Sequence, residues 1–215
     1  DVVEVAREHG LVVFSDEIYD KILYDEAKHT SIASLADDVF FVTFGGLSKN
    51  YRVAGFRSGW LVVSGNKRLA SDYIDGLNIL SSMRMCANVP CQSAIQTALG
   101  GYQSINDLVN ENGRLRIQRD VTTDMLNGID GISCVKPKGA MYCFAKVDEK
   151  KFNIHNDEQM VLDLLSSEKI LLVHGRAFNL TEGTYFRLVF LPHSDVLVPA
   201  LHRIGNFFRT YKQGA

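Results

Sequence analysis

"FFVTFGGLSKNYRVAGFRSGWLVVSG", residues 40–65, contains two apolar runs that both end in glycine. FFVTFGG (40–46) and GWLVVSG (59–65) have the length and apolar content of buried β-strands, as does the earlier run LVVFSDE (11–17). Continuous apolar runs are typical of strands that are covered on both faces of a parallel sheet. We therefore expect three such strands, with a glycine-rich loop between the last two.

Helical patterns alternate with these strands in the first half of the chain. Apolar residues at helical spacing precede Gly10, and further helices are predicted at 67–83, at about 90–100 and at about 104–127, the last interrupted near Gly113. Strands that alternate with helices predict an α/β fold with a mostly parallel sheet.

From about residue 115 onward, short strands predominate. The predicted strands are GISCV (131–135), GAMYCFAKV (139–147), ILLVHG (170–175) and YFRLVF (185–190), and the predicted helices are 157–168 and 194–211. This change predicts two domains, with an α/β domain in residues 1–115 and a small α+β domain in residues 116–215.

Composition and charge exclude several classes of function. The formal net charge of −2 disfavours a nucleic-acid partner, since no basic stripe is present to neutralise phosphates. No apolar run approaches the roughly 20 residues that span a bilayer. The chain opens without a secretory signal, its four cysteines form no C-x-x-C pair, and its six histidines lack metal-ligand spacing. We expect a cytoplasmic protein with no metal site and no membrane partner.

The first ten residues, DVVEVAREHG, lack an initiator methionine and enter a helical pattern part-way. We therefore expect this chain to be the C-terminal part of a longer protein.

Three polar side chains follow the ends of the first two strands. Asp16 ends the first strand, Tyr19 comes three residues later, and Lys49 follows the second strand. Taken singly, the aspartate is an ordinary turn residue and the lysine an ordinary solvated one. Together they lie at the carboxyl ends of the strands, where open α/β sheets bind ligands.

These residue types together fit a pocket for pyridoxal phosphate. Burial and neighbouring cations lower the pKa of a lysine, so that a neutral amine can attack a carbonyl. Arg57 offers a planar cation for a phosphate. A carboxylate at Asp16 could keep a pyridine nitrogen protonated, which makes the ring an electron sink, and Tyr19 could donate to the ring oxygen. Trp60 is expected to pack rather than to react.

Three stretches, SDEIYDKILYD (15–25), FGGLSKNYRVAGFRSGW (44–60) and YFRLVFLP (185–192), resemble successive signatures of the class I/II aminotransferases, the fold type I enzymes that use pyridoxal phosphate. Further stretches resemble more closely the bacterial alanine (glutamate–pyruvate) aminotransferases. They are MCANVPCQSAIQTALGGYQSI (85–105), VKPKGAMY (135–142) and KFNIHNDEQMVLDLL (151–165).

The resemblance implies a role for each matching residue. Lys49 matches the lysine that forms the Schiff base with pyridoxal 5'-phosphate. Asp16 matches the partner of the pyridinium nitrogen and Tyr19 the partner of the ring oxygen, while Ser48 and Arg57 match phosphate-binding positions. The arginine that grips the substrate carboxylate is matched by Arg187. Gly46 departs from the many relatives with a hydroxyl residue there, so one phosphate contact must come from elsewhere.

The implied function is transfer of an amino group between an amino acid, with alanine favoured, and a 2-oxo acid such as 2-oxoglutarate or pyruvate, in an enzyme that is normally a homodimer. The resemblance covers only the second half of the family's length, so we expect the 215-residue chain itself to have little or no activity.

Several alternatives stay open. Another fold type I enzyme, such as an aromatic aminotransferase, a C–S lyase or a relative of aminocyclopropane-carboxylate synthase, would use the same cofactor residues. A non-catalytic scaffold has little reason to carry all of these residues together. A hydrolase built on Ser48 and Lys49 is disfavoured because adjacent side chains rarely point at each other. GGLSKN lacks the residue order of a P-loop.

Overall fold

The computed structural model describes residues 1–214, which divide between Asn106 and Asp107 into two compact units. The expected boundary between residues 115 and 116 therefore lies within the first turn of a helix of the second unit. Arg114 donates a hydrogen bond to the carbonyl oxygen of Leu191 (3.0 Å), which ties the start of that helix to the second unit. The identification of the units as a cofactor-binding domain and a small domain stays a prediction.

The first unit contains a three-stranded sheet and three helices of seven residues or more. Its elements are α1 (Val2–Glu8), β1 (Val13–Asp16), β2 (Phe40–Gly46), β3 (Gly59–Gly65), α2 (Ser71–Arg84) and α3 (Val89–Gly100). The sheet order is β1-β2-β3, and β2 is the strand with the most buried side chains. Gly10, at a φ of 59°, ends α1 in a left-handed conformation that glycine adopts at little cost.

The orientation of β3 corrects the expectation of a third parallel strand. β1 and β2 are parallel, with Val13 opposite Phe41, but β2 and β3 are antiparallel, with Phe40 opposite Gly65. A parallel connection needs a crossover, usually a helix, whereas residues 47–58 contain only loop and one 3-10 turn.

The strands flanking β2 are also less covered than their apolar sequences predicted. Phe14 of β1 is 57% exposed and Val62 of β3 is 52% exposed. Within the first unit, β1 and β3 are thus open to solvent along part of their length.

The second unit is an α+β arrangement around a four-stranded antiparallel sheet. Its elements are α4 (Asn106–Val109), α5 (Arg114–Asn127), β4 (Ile132–Cys134), β5 (Tyr142–Val147), α6 (Glu149–Phe152), α7 (Asp157–Glu168), β6 (Val173–His174), β7 (Thr184–Val189) and α8 (Ser194–Thr210), where the first residue of α4 precedes the division. The sheet order is β4-β5-β7-β6.

The core of the second unit forms where α8 packs on the sheet. The α8 residues Leu197, Leu201, Ile204 and Phe208 are buried at the helical spacing expected of an amphipathic helix. The Phe208 ring stacks on Phe186 of β7, with the ring centroids 6.1 Å apart.

Cys134 and Cys143 are buried, as expected for cysteines within apolar strands. Across residues 1–214, no helix is both long and apolar enough to cross a membrane.

Candidate functional site

Asp16 ends β1 directly beside β2, where it lies opposite Phe44. One of its carboxylate oxygens, Oδ1, accepts a hydrogen bond from the backbone N–H of Ile18 at 3.2 Å. The side chain therefore stabilises the turn after the strand, and it remains exposed to solvent. Both interpretations of the sequence, a turn residue and an available carboxylate, are compatible with this geometry.

Tyr19 and Lys49 lie side by side. The Lys49 Nζ atom is 5.9 Å from the centroid of the Tyr19 ring, a distance within the range of a cation–π contact. Both residues are half-buried. The turn after β1 and the loop after β2 thus bring together two side chains that the sequence placed at one edge of the sheet.

The glycines before Lys49 make room for close packing beneath the loop. A Cβ atom at position 45 would lie 2.5 Å from Nε1 of Trp60, so the indole occupies the space of a side chain there. At position 46 a Cβ atom would lie 3.2 Å from Cδ1 of Ile18. Trp60 packs on the strand, as expected, and Gly46 keeps the turn after β1 close to β2.

The backbone brings the segments that carry Ser48 and Arg57 to the same end of the β2–β3 hairpin. The N–H of Leu47 donates to the carbonyl oxygen of Ser58 at 3.1 Å. Arg57 adopts a φ of 50°, and its Nη1 donates to the carbonyl oxygen of Ala54 at 2.8 Å. The guanidinium is exposed, so an anion can approach it; the phosphate-binding roles of both residues stay predictions.

Arg187 lies on β7 in the second unit, close to two aromatic rings. Its Cζ atom is 4.7 Å from the centroid of the Tyr142 ring and 4.6 Å from that of Phe178. The rings cover the guanidinium, and its buried Nε has no hydrogen-bond partner among residues 1–214. A buried donor without a partner costs about 1–3 kcal/mol, which a carboxylate ligand would offset. This arrangement suits Arg187 to the predicted carboxylate contact.

Sequence analysis missed a polar cluster around Glu17, directly after β1. The Glu17 carboxylate accepts hydrogen bonds from Ser31 Oγ (2.8 Å) and Ser15 Oγ (3.1 Å), and His29 Nε2 lies 2.9 Å from its Oε2. Burial raises the pKa of Glu17, but the hydrogen bonds from His29, Ser31 and Ser15 outweigh it and hold that pKa below its ordinary value. The cluster fixes the segment that carries Asp16.

A second missed feature is the hydrogen bond that joins the turn after β1 to the loop after β2. Asn50 donates it to Asp20, and Asn50 is buried, although it is polar and follows the candidate catalytic lysine. A polar residue in a loop gives no sequence signal of burial.

Among residues 1–214, no group of three or more His, Cys, Asp or Glu side chains could hold a metal ion.

Comparison with known proteins gives consistent matches. A sequence profile of the aminotransferases of class I and II matches residues 1–204. The chain is 56% identical over 213 residues to the glutamate-pyruvate aminotransferase AlaA of Escherichia coli K12, covering 99% of this chain and 53% of that protein. It is 55% identical over 212 residues to an alanine aminotransferase of Mycobacterium bovis, covering 99% and 49%.

Solved structures agree. A crystal structure of an Escherichia coli aminotransferase superposes with a TM-score of 0.96 at 56% identity, covering 99% of this chain and 53% of the other. An alanine aminotransferase from Pyrococcus furiosus gives a TM-score of 0.87 at 34% identity, covering 97% and 52%. The chain therefore spans about half the length of the relatives it matches.

Proposed function

Because this chain belongs to the aminotransferases of class I and II, we propose that it carries the lysine-bearing part of a pyridoxal-phosphate site. We propose further that the protein transfers amino groups between alanine and a 2-oxo acid such as 2-oxoglutarate. The observation that carries the proposal is the placement of Lys49 beside Tyr19 in the glycine-rich loop after β2. The names of the relatives from Escherichia coli and Mycobacterium bovis support alanine as the donor.

The residues present fit the cofactor. Lys49 is half-buried beside the ring of Tyr19, the carboxylate of Asp16 is exposed at the end of β1, and the guanidinium of Arg57 is exposed two residues before β3. These groups offer an amine, an anion and a cation for the three polar parts of the cofactor. When bound, pyridoxal phosphate supplies an aldehyde that reacts with an amine and a ring that accepts an electron pair.

Each side chain has a defined task in this proposal. The Lys49 amine is the nucleophile and afterwards moves a proton at its Nζ. Asp16 holds a proton on the ring nitrogen, and the Tyr19 hydroxyl donates to the ring oxygen. Ser48 and Arg57 bind the phosphate, the latter through its planar guanidinium.

Arg187 binds the carboxylate shared by the amino acid and the 2-oxo acid. Tyr142 and Phe178 pack against its guanidinium, whose planar edge can meet both oxygens of a carboxylate at once. As in the family generally, we propose that the whole protein is a homodimer.

The test is covalent capture. The chain is incubated with pyridoxal phosphate and reduced with borohydride, and the modified lysine is located by peptide mass. We expect the label on Lys49 and its loss in Lys49→Arg, while Lys28→Arg, which changes an exposed lysine, leaves the label unchanged. Labels scattered over the surface lysines of the full-length protein would contradict the proposal.

The amino donor is identified by assaying the full-length protein with alanine, tyrosine and cystathionine. Turnover with alanine and 2-oxoglutarate is the expected result. Preference for tyrosine would favour an aromatic aminotransferase, and cleavage of cystathionine a C–S lyase. For the 215-residue chain alone we expect very low turnover.

A further inference from the structure

The turn that carries Tyr19 is joined to the turn that carries Lys49 by successive side-chain pairs. Tyr19 faces Lys49, Asp20 accepts a hydrogen bond from Asn50, and Lys21 donates one to Tyr51. The partners in both hydrogen bonds are 30 residues apart in the chain, as Tyr19 and Lys49 also are. We call these paired segments, residues 19–21 and 49–51, the double turn.

The Asp20–Asn50 pair lies next to the two site residues. Asn50 Nδ2 donates to Asp20 Oδ1 at 2.5 Å, and Asn50 is 5% exposed. A hydrogen bond to a carboxylate from a buried amide is stronger than one between neutral groups. It therefore limits how far the backbone at Lys49 can move relative to the backbone at Tyr19.

The Lys21–Tyr51 pair is closed by a third segment of the first unit. Lys21 Nζ is 3.0 Å from the Tyr51 hydroxyl oxygen and 2.6 Å from Gln103 Oε1. The amide nitrogen of Gln103 in turn donates to the carbonyl oxygens of Ala98 (2.9 Å) and Gly101 (2.7 Å). The C-terminal end of α3 thus anchors the double turn.

A further contact holds the lysine loop one residue after the double turn. Arg52 adopts a φ of 59°, and its Nη2 donates a hydrogen bond to Ser104 Oγ at 2.5 Å. Its backbone N–H donates to the carbonyl oxygen of Lys49 at 3.2 Å. The loop is therefore also held by Ser104, which adjoins Gln103 and lies 52 positions from Arg52.

We propose that Asn50, Asp20 and Tyr51 are positioning residues that hold the Lys49 amine beside the Tyr19 ring. A lysine side chain has four flexible carbon–carbon bonds, so its amine is directed only if the backbone beneath it is fixed. Misplacement of a reacting group by 1 Å can cost about 100-fold in rate. The use of the directed amine for amino-group transfer rests on the proposed function; its placement does not.

The first experiment measures the reactivity of Lys49 without the cofactor. The full chain is treated with a small amine-acylating reagent, and acylation rates at Lys49 and at the exposed Lys28 are compared by peptide mass. In Asn50→Ala and Tyr51→Phe the amine is released from the ring, so the ratio of the two rates should rise between about twofold and tenfold, the range that a lost hydrogen bond produces.

The matched control is Asn78→Ala. It removes the amide of an exposed asparagine on α2, outside the double turn, so the ratio should change by less than about twofold. General loosening of the first unit would also speed modification of the half-buried thiol of Cys91, so an unchanged Cys91 rate in the same variants shows that the effect is local. An unchanged ratio in both Asn50→Ala and Tyr51→Phe overturns the proposal. If Asn50→Ala fails to fold, Tyr51→Phe, which keeps the ring, decides alone.

The second experiment repeats the borohydride capture with pyridoxal phosphate in the same variants. Labelling of Lys49 should fall in Asn50→Ala while its acylation by the small reagent rises, because the cofactor needs a directed amine and the reagent only an accessible one. If pyridoxal phosphate never labels Lys49 in the full-length protein but the acylation ratios respond, the proposed function fails and the positioning role stands.

Discussion

Glu17 is a carboxylate with three side-chain partners at the end of β1. Ser15, Ser31 and His29 all contact it, and its side chain is only 12% exposed. The hydrogen bonds favour the ionised form more than burial disfavours it, which is why the pKa lies below the ordinary value of 4.5. This residue therefore links the stability of the first unit to pH.

We predict that Glu17→Gln destabilises the first unit near neutral pH and that the difference from the unsubstituted chain disappears in acid. The unfolded chain binds the Glu17 proton more readily, so the stabilisation is present above about pH 4.5 and is lost as the pH falls through the lower folded pKa. Urea unfolding at a series of pH values, followed by the fluorescence of Trp60, measures this. A difference that stays constant down to strongly acidic pH would contradict it.

At the scale of the element, the β2–β3 hairpin depends on the match of a glycine to an aromatic ring. Gly45 lies directly opposite Trp60 in the antiparallel register, and the indole fills the space above it. The loop that carries Lys49 leaves the sheet one residue after Gly46, so the packing of this pair sets where the loop begins.

We predict that Gly45→Ala destabilises the first unit by about 1–3 kcal/mol, because the added methyl group displaces Trp60. The matched control is Gly55→Ala, where nothing lies within 4 Å of the added atom and the effect should stay within about 0.5 kcal/mol. Urea unfolding followed by the fluorescence of Trp60, the single tryptophan, measures both. Equal stability of the two variants would refute the prediction.

Element positions could largely be read from the sequence. FFVTFGG and GWLVVSG match β2 and β3 residue for residue, and 157–168 matches α7. The direction of β3 could not be read, since a strand's apolar content is the same whichever way it runs. The direction was decided by the connection over residues 47–58, which contains no α-helix that could cross the sheet.

At the scale of the whole molecule, the four cysteines sample very different environments. Cys86 is exposed and Cys91 half-buried in the first unit, whereas Cys134 and Cys143 are buried in the second. A hydrogen bond shared with Cys134, together with burial, raises the pKa of Cys143, and the same bond lowers the pKa of Cys134.

We predict two classes of thiol in a titration with an aromatic disulfide reagent. Cys86 should react at the rate of a free thiol, and Cys134 and Cys143 about a hundredfold or more slowly, since they need an opening of the second unit. Peptide mass identifies the modified residues, and Cys86→Ser should remove the class of thiol that reacts rapidly with the reagent. Rapid modification of Cys143 in the folded chain would show that the second unit is not closed as described.

The sequence by itself determined the α/β character and the approximate positions of the strands, and it nominated the residues that could carry chemistry, because apolar runs and side-chain types are local properties. It placed Lys49, Tyr19 and Asp16 at one sheet edge. Only the tertiary structure decided how Lys49 is held, through the double turn and Gln103. Those hydrogen bonds join residues 30 and 82 positions apart, and their pairing depends on how separate turns meet in space, which no local pattern encodes.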